Sequence, residues 1–173
     1  MIRRHFSSSE PVKIVNAIND YVDKQPRNIM TLKKLYFRTV QVAIHNSRKQ
    51  LFVQKRAKNK YVFAGYWDIA PGGVVLASES DLRAARREIK EEMGIEGNLK
   101  ELGTIGILNE GWYWWAVYYS MQWDGEVTPD PNEVEGVALM DLSEIKKRLS
   151  KGELFTPNSV KALGLISGYL NSF

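Results

Sequence analysis

The chain contains no cysteine in its 173 residues. That excludes disulfides, a thiolate nucleophile and cysteine-ligated zinc. Histidine is nearly absent too: His5 and His45 are the only two. They lack metal-ligand spacing to one another, so both are expected at the surface. No run of about 18 apolar residues occurs, so no membrane-spanning helix is expected. The N-terminus, MIRRHFSSSEPV, has two arginines but no apolar segment behind them, unlike a secretory signal. A cytoplasmic location is the expectation. No repeat, low-complexity tract or linker divides the chain.

What is present is ordinary for a soluble globular protein: 44% hydrophobic and 25% charged residues. The length suits one domain, expected over residues 11–173, with residues 1–10 as a flexible arm. The formal net charge of +4 suits an anionic small molecule and does not by itself indicate a nucleic-acid polymer. A homodimer is compatible with this composition.

Strands are expected at Val12–Ile18, Phe37–Asn46, Gln50–Arg56, Leu99–Asn109 and Trp112–Trp123, from alternation and β-branched or aromatic content. Asn46–Lys49 reads as a hairpin turn between the second and third of these. Residues 21–34 are ambiguous, with Pro26 interrupting them. Alternation in the Trp112 strand puts Trp112, Trp114, Ala116 and Tyr118 on one face and Tyr113, Trp115, Val117 and Tyr119 on the other. Both faces are aromatic, so the strand is expected to be covered on both sides. The last strand lies within Glu133–Leu142. Ser143 is the expected cap of the helix after it, and Thr156-Pro157 opens the terminal helix. Strands thus come in runs rather than alternating with helices, which indicates a mixed sheet with helices on its faces.

One stretch organises the chain: GGVVLASESDLRAARREIKEEMGI, residues 72–95. A helix is expected from about Ser78 to Met93, capped by Ser78 with Asp81 and stopped by Gly94. Leu82, Ala85, Ile89 and Met93 form its expected buried stripe. Glu88, Glu91 and Glu92 lie together on the adjoining face. Like charges at i,i+4 cost roughly 0.2–0.5 kcal/mol per pair. Anions in the last turns also face the negative end of the helix dipole. A divalent cation such as Mg²⁺ or Mn²⁺ would relieve both. Before this stretch runs a basic loop with Lys55, Arg56, Lys58 and Lys60, natural partners for a diphosphate. Trp67 reads as packing.

The stretch resembles the signature of the Nudix hydrolases, G-x5-E-x7-R-E-U-x-E-E-x-G-U with U a bulky aliphatic residue. The matching positions are Gly73, Glu79, Arg87, Glu88, Ile89, Glu91, Glu92, Gly94 and Ile95, and none departs from the pattern. The resemblance implies a Nudix-type α/β/α sandwich, α/β (α+β) in class, with a mixed β-sheet. It also implies metal-dependent cleavage of a nucleoside diphosphate linked to another moiety. In that reading Glu88 and Glu92 are the principal metal ligands. Glu91 is a further ligand or the base for the attacking water, and the carbonyl of Gly72 completes the site. Arg87 orients a glutamate, with Glu91 and Glu79 as its partners, while Glu79, Gly73 and Gly94 are structural. A further acid often comes from a distant loop: Glu133 is the first candidate, ahead of Glu110 and Glu135.

FRTVQVAI, QLFVQKRAKNK, GYWDIAPGGVV and FTPNSVKALGL further resemble the Nudix branch related to isopentenyl-diphosphate isomerase. Arg56 and Lys60 fall where that relative places its basic residues, which implies a phosphate-binding role. The isomerase activity itself is not expected. Gly72 stands where isomerases have a catalytic cysteine, and Val74 and Phe37 stand where they have metal-binding histidines. A module that senses a nucleotide or pyrophosphate without turnover is the alternative from another class. Such descendants usually lose glutamates of the signature, whereas this chain keeps them. ADP-ribose, dinucleoside polyphosphates, deoxynucleoside triphosphates, CoA derivatives and prenyl diphosphates all remain open as substrates.

Overall fold

The structure, a computed structural model, describes residues 9–172. The arm expected over residues 1–10 therefore lies outside the described residues up to residue 8. In chain order the elements are β1 (Pro11–Val15), β2 (Tyr21–Pro26), α1 (Arg27–Lys33), β3 (Phe37–His45), β4 (Leu51–Arg56), β5 (Trp67–Asp68), β6 (Gly72–Val74), α2 (Asp81–Met93), β7 (Lys100–Asn109), β8 (Trp112–Gln122), β9 (Val134–Met140), α3 (Leu142–Ser150) and α4 (Pro157–Leu170). The strands form one mixed, curled sheet with helices packed on it, an α/β/α sandwich.

β3 is the spine of this sheet. One edge runs parallel to β8 along its whole length, from Phe37↔Trp114 to His45↔Gln122. Its other edge is shared among three partners: β1 at Phe37, β6 at Thr39–Gln41, and β4 only at His45↔Leu51. The expected β3–β4 hairpin is thus paired only at its base. β4 leaves β3 at once and pairs instead with β9, from Leu51↔Met140 to Arg56↔Val134, and with β5. The parting of β3 from β4 opens the sheet, β6 pairs along β3 there, and Glu92 near the end of α2 reaches Gln54 of β4.

Two cores flank the sheet. Ile107, Trp114, Ala116 and Tyr118 pack with Ile145 of α3 and with Ala162, Ile166 and Leu170 of α4. Val117, Tyr119 and Met121 pack with Ala84, Ala85, Ile89 and Met93 of α2. β8 feeds both cores through its alternation, as its aromatic content on both faces requires.

Several local expectations are corrected. α2 is capped by Ser80, whose side chain accepts from the Arg83 amide at 3.3 Å, not by Ser78. Starting three residues later turns Leu82 outward to 36% exposure and puts Ala84 in the core. Asp141, not Ser143, caps α3, accepting from the Glu144 amide at 3.0 Å. Ser143 spends its hydroxyl on Asp141 itself. His45 is buried, because it sits where β3, β4 and β8 converge, and its ring packs edge-on against Tyr169. Its Nδ1 lies 3.0 Å from the Asn46 carbonyl. Residues 21–34 divide into β2 and the short helix α1, which ends at Lys34 in the left-handed region, φ 48°. Thr156 caps α4 with Pro157 at its first turn.

Candidate active site

The site is built on the second half of α2. Glu88 and Glu92, one turn apart, are both turned inward; Glu92 is 5% exposed. Glu88 lies beneath β6, against Gly73. A β-carbon at Gly73 would sit 2.5 Å from Cδ of Glu88, so only glycine leaves the carboxylate its place. Gly72 is equally confined: a β-carbon there would overlap the Val40 carbonyl of β3. These two glycines bring the backbone of β6 close to the carboxylates.

Arg87 ties the signature together. Its Nε donates to Glu79 Oε2 at 3.1 Å and Nη2 to Glu79 Oε1 at 2.7 Å, a two-point grip. Nη2 also donates to the Val74 carbonyl at 3.2 Å. Nη1 reaches Glu88 at 2.7 Å and Glu91 at 3.2 Å. Glu79 accepts in addition from the Leu76 amide at 2.9 Å, which links the loop to the helix. Burial works against the charge on Arg87, but its bonds to Glu79 and Glu88 outweigh that and raise its pKa. Glu91 stands apart from Glu88 and Glu92. Its side chain is 58% exposed and held at the surface by Arg87. Gly94 ends the helix at φ 69°, where a β-carbon would meet the Thr128 carbonyl at 2.7 Å.

The remaining site residues come from β4 and the loops beside it. Gln54 of β4, buried, donates from Nε2 to Glu92 Oε2 at 3.0 Å. Nothing in the signature points to Gln54; the one clue is a polar residue inside the apolar strand LFVQKR. Lys60 forms an ion pair with Glu133, and both side chains are largely buried. Glu133 is positioned by the loop that hangs from the end of α2. The Asp130 amide donates to the Glu92 carbonyl at 3.2 Å, and the Glu133 amide to the Asp130 carbonyl at 2.9 Å. Glu135 points away and pairs with Lys55 and Lys58. Glu110 lies in the turn between β7 and β8. Arg56 donates from Nη2 to the Val62 carbonyl at 3.2 Å, which folds the basic loop back over it.

Burial and the neighbouring Glu88 push the Glu92 carboxyl up to about 8, against the pull of Arg56, Lys60 and Gln54. Burial raises Glu88 as well, opposed by Arg87 and, further off, by Arg27 of α1. Two buried carboxylates repelling one another form the donor set for a hard divalent cation. Mg²⁺ commonly takes one or two protein carboxylates and fills its other positions with water and phosphate oxygens. Glu88, Glu92 and the nearby backbone of Gly72 suit that arrangement. Among the described residues no three acidic or histidine side chains form a ready-made cage. Arg87 and Lys60 hold the remaining acids, Glu91 and Glu133.

Comparison with known proteins gives the family of the chain and the neighbours of its fold. The family model described as the NUDIX domain matches residues 35–160. The chain is 34% identical over 166 residues to the uncharacterized Nudix hydrolase YfcD of Shigella flexneri, covering 95% of this chain and 91% of that protein. It shares the fold of DR0079 from Deinococcus radiodurans, with a TM-score of 0.79 at 23% identity, covering 89% of this chain and 97% of the other. The NUDIX domain of Shewanella oneidensis NrtR, solved in complex with ADP ribose, is similar at a TM-score of 0.65 and 15% identity, covering 78% and 88%.

Proposed function

The chain belongs to the Nudix hydrolases, pyrophosphohydrolases by family, and from that premise we propose that it cleaves a diphosphate linkage in a nucleoside diphosphate joined to another moiety, or in a related organic pyrophosphate, with Mg²⁺ or Mn²⁺ at Glu88 and Glu92. The observation that carries this reading is a buried carboxylate at Glu92 one helical turn from the largely buried carboxylate of Glu88, which lies against Gly73. Glu88 and Glu92 would hold the divalent ion, which would supply positive charge for the phosphoryl oxygens and lower the pKa of the attacking water. Arg56 and Lys60 hold the diphosphate. Arg87 fixes Glu88 through its grip on Glu79. Glu133 accepts the proton of the attacking water at a carboxylate oxygen as Lys60 turns to phosphate. Glu91, held at the rim by Arg87, would turn inward to serve as a further ligand or as the base for the attacking water.

We place the chain in the branch that resembles isopentenyl-diphosphate isomerase-like Nudix hydrolases, as one domain over residues 11–173. The test is a panel of nucleoside-diphosphate compounds and prenyl diphosphates with Mg²⁺ or Mn²⁺, scored for phosphate or nucleotide release. Glu92→Gln serves as the control. Turnover by wild type that falls at least about 100-fold in the variant is the expected result. Turnover that survives in the variant contradicts the site. Tight binding without turnover by wild type supports a sensor instead.

A further inference from the structure

Arg38 of β3 binds both ends of the connection between β6 and α2. Its carbonyl accepts from the Val75 amide at 3.0 Å, just where the chain leaves β6. Its guanidinium reaches the other end: Nη1 donates to Asp81 Oδ2 at 3.0 Å, in the first turn of α2. Nε and Nη2 donate to Asn19 Oδ1 at 3.0 and 2.7 Å, and Nη2 also to the Asn19 carbonyl at 2.7 Å. Asn19 lies in the turn between β1 and β2, at φ 70°. Arginine suits this post because its planar fork presents several donors in fixed directions.

The hairpin of β1 and β2, outside the span matched by the family model, closes over the same connection. The Lys13 amide donates to the Val75 carbonyl at 3.0 Å, the Ala77 amide to the Pro11 carbonyl at 2.9 Å, and Val12 pairs with Leu76. Lys13 Nζ approaches Asp81 at 3.7 Å. The signature fastens this stretch from the other side, since Arg87 binds the Val74 carbonyl and Glu79 the Leu76 amide. Together these bonds set how α2 stands against β6. That spacing matters most where Glu88 lies against Gly73, and Gly73 pairs with Val40, two residues along β3 from Arg38. A slide of α2 by about 1 Å would carry Glu88 away from the backbone of Gly72 and Gly73, a misplacement on the scale that disables a site.

We infer that Arg38 is a positioning residue for the metal site: by joining the hairpin turn and the first turn of α2 to β3, it fixes the spacing of β6 and α2 at which Glu88 and Glu92 can hold a divalent cation. This rests on the metal-dependent reading above. Arg38 acts through Val75 and Asp81, the two ends of the connection, and Asn19 keeps its side chain extended between them. The hairpin thereby becomes part of what shapes the site.

The experiment is Mn²⁺ titration of the full chain, followed by electron paramagnetic resonance, at a temperature where circular dichroism shows each variant folded. Arg38→Met keeps the apolar stem of the side chain and removes its donors. It is expected to bind Mn²⁺ about tenfold more weakly than wild type, the low end of what losing a ligand's support costs. Arg38→Lys carries the charge but cannot bridge two partners, and its affinity is expected to fall between the two. A folded Arg38→Met with unchanged Mn²⁺ affinity overturns the inference whatever its melting temperature, because Arg38 then supports the fold alone. Should Arg38→Met not fold, Asp81→Ala removes the acceptor on α2 at a partly exposed position. Several-fold weaker Mn²⁺ binding is then the expected result, and unchanged binding overturns the inference. If Glu92→Gln loses Mn²⁺ while Arg38→Met keeps it, only this inference falls. If wild type binds no Mn²⁺, or Glu92→Gln binds it as wild type does, the metal-site reading falls as well.

Discussion

Gly73 and Glu88 share one small volume: the carboxylate occupies the space that a side chain on residue 73 would fill, 2.5 Å from the ideal β-carbon position to Cδ. The glycine is thus a condition for where the carboxylate stands. Gly73→Ala is expected to push Glu88 aside and to lower Mg²⁺ affinity about 10- to 100-fold, the scale of losing a ligand's support. Calorimetric titration of Mg²⁺ into both proteins checks this. Equal affinities contradict it.

Arg87 serves Glu79, Glu88, Glu91 and the Val74 carbonyl at once. Lysine carries the charge without the planar fork. Arg87→Lys is therefore expected to lose activity and to destabilise the fold by about 1–3 kcal/mol. Urea denaturation measures the second effect, and a variant as stable as wild type counts against it.

Gln54 gives Glu92 a side-chain hydrogen bond that holds it toward β4. Gln54→Leu keeps the volume and removes the donor. The expected consequence is roughly tenfold weaker metal binding. Titration with Mn²⁺, followed by electron paramagnetic resonance, reports free against bound metal directly. Unaltered binding would remove Gln54 from the site.

Asp68 gives a pH test away from the carboxylates of α2. It is buried, and burial raises its pKa above the usual 3.8, although it accepts from Ser159 Oγ at 2.9 Å and from the Ala70 amide at 3.2 Å. A carboxyl whose folded pKa is raised contributes stability that is fully present below its unfolded pKa. That contribution is lost as pH rises through the folded value. Wild type is therefore expected to lose stability from about pH 4 upward more steeply than Asp68→Asn does. Thermal unfolding of the pair across that range measures the difference in slope, and parallel curves contradict it.

The parts of this protein that were legible in its sequence are those governed by local rules. Fixed spacing located Gly73, Glu79, Arg87 and the three glutamates on one loop and helix. Alternation assigned the two faces of β8 correctly. The N-cap of α2 was misread because Ser78 and Ser80 both precede the helix, and only the backbone of Ser80 is extended with its side chain on the Arg83 amide. β2 escaped because YVDKQP is largely exposed and carries no apolar alternation. His45 looked like a surface residue because burial at a junction of three strands leaves no trace in nearby residues. Gln54 was invisible as a site residue for a related reason. Its proximity to Glu92 is created by the parting of β3 from β4, a long-range event.

The most direct measurement is anomalous diffraction from crystals soaked in Mn²⁺ with methylenediphosphonate. The expected density is a metal peak between the carboxylates of Glu88 and Glu92, next to the Gly72 backbone, with the diphosphonate reaching from it to Arg56 and Lys60. A metal peak elsewhere, with Glu88 and Glu92 left without an ion, would contradict the site and the chemistry drawn from it.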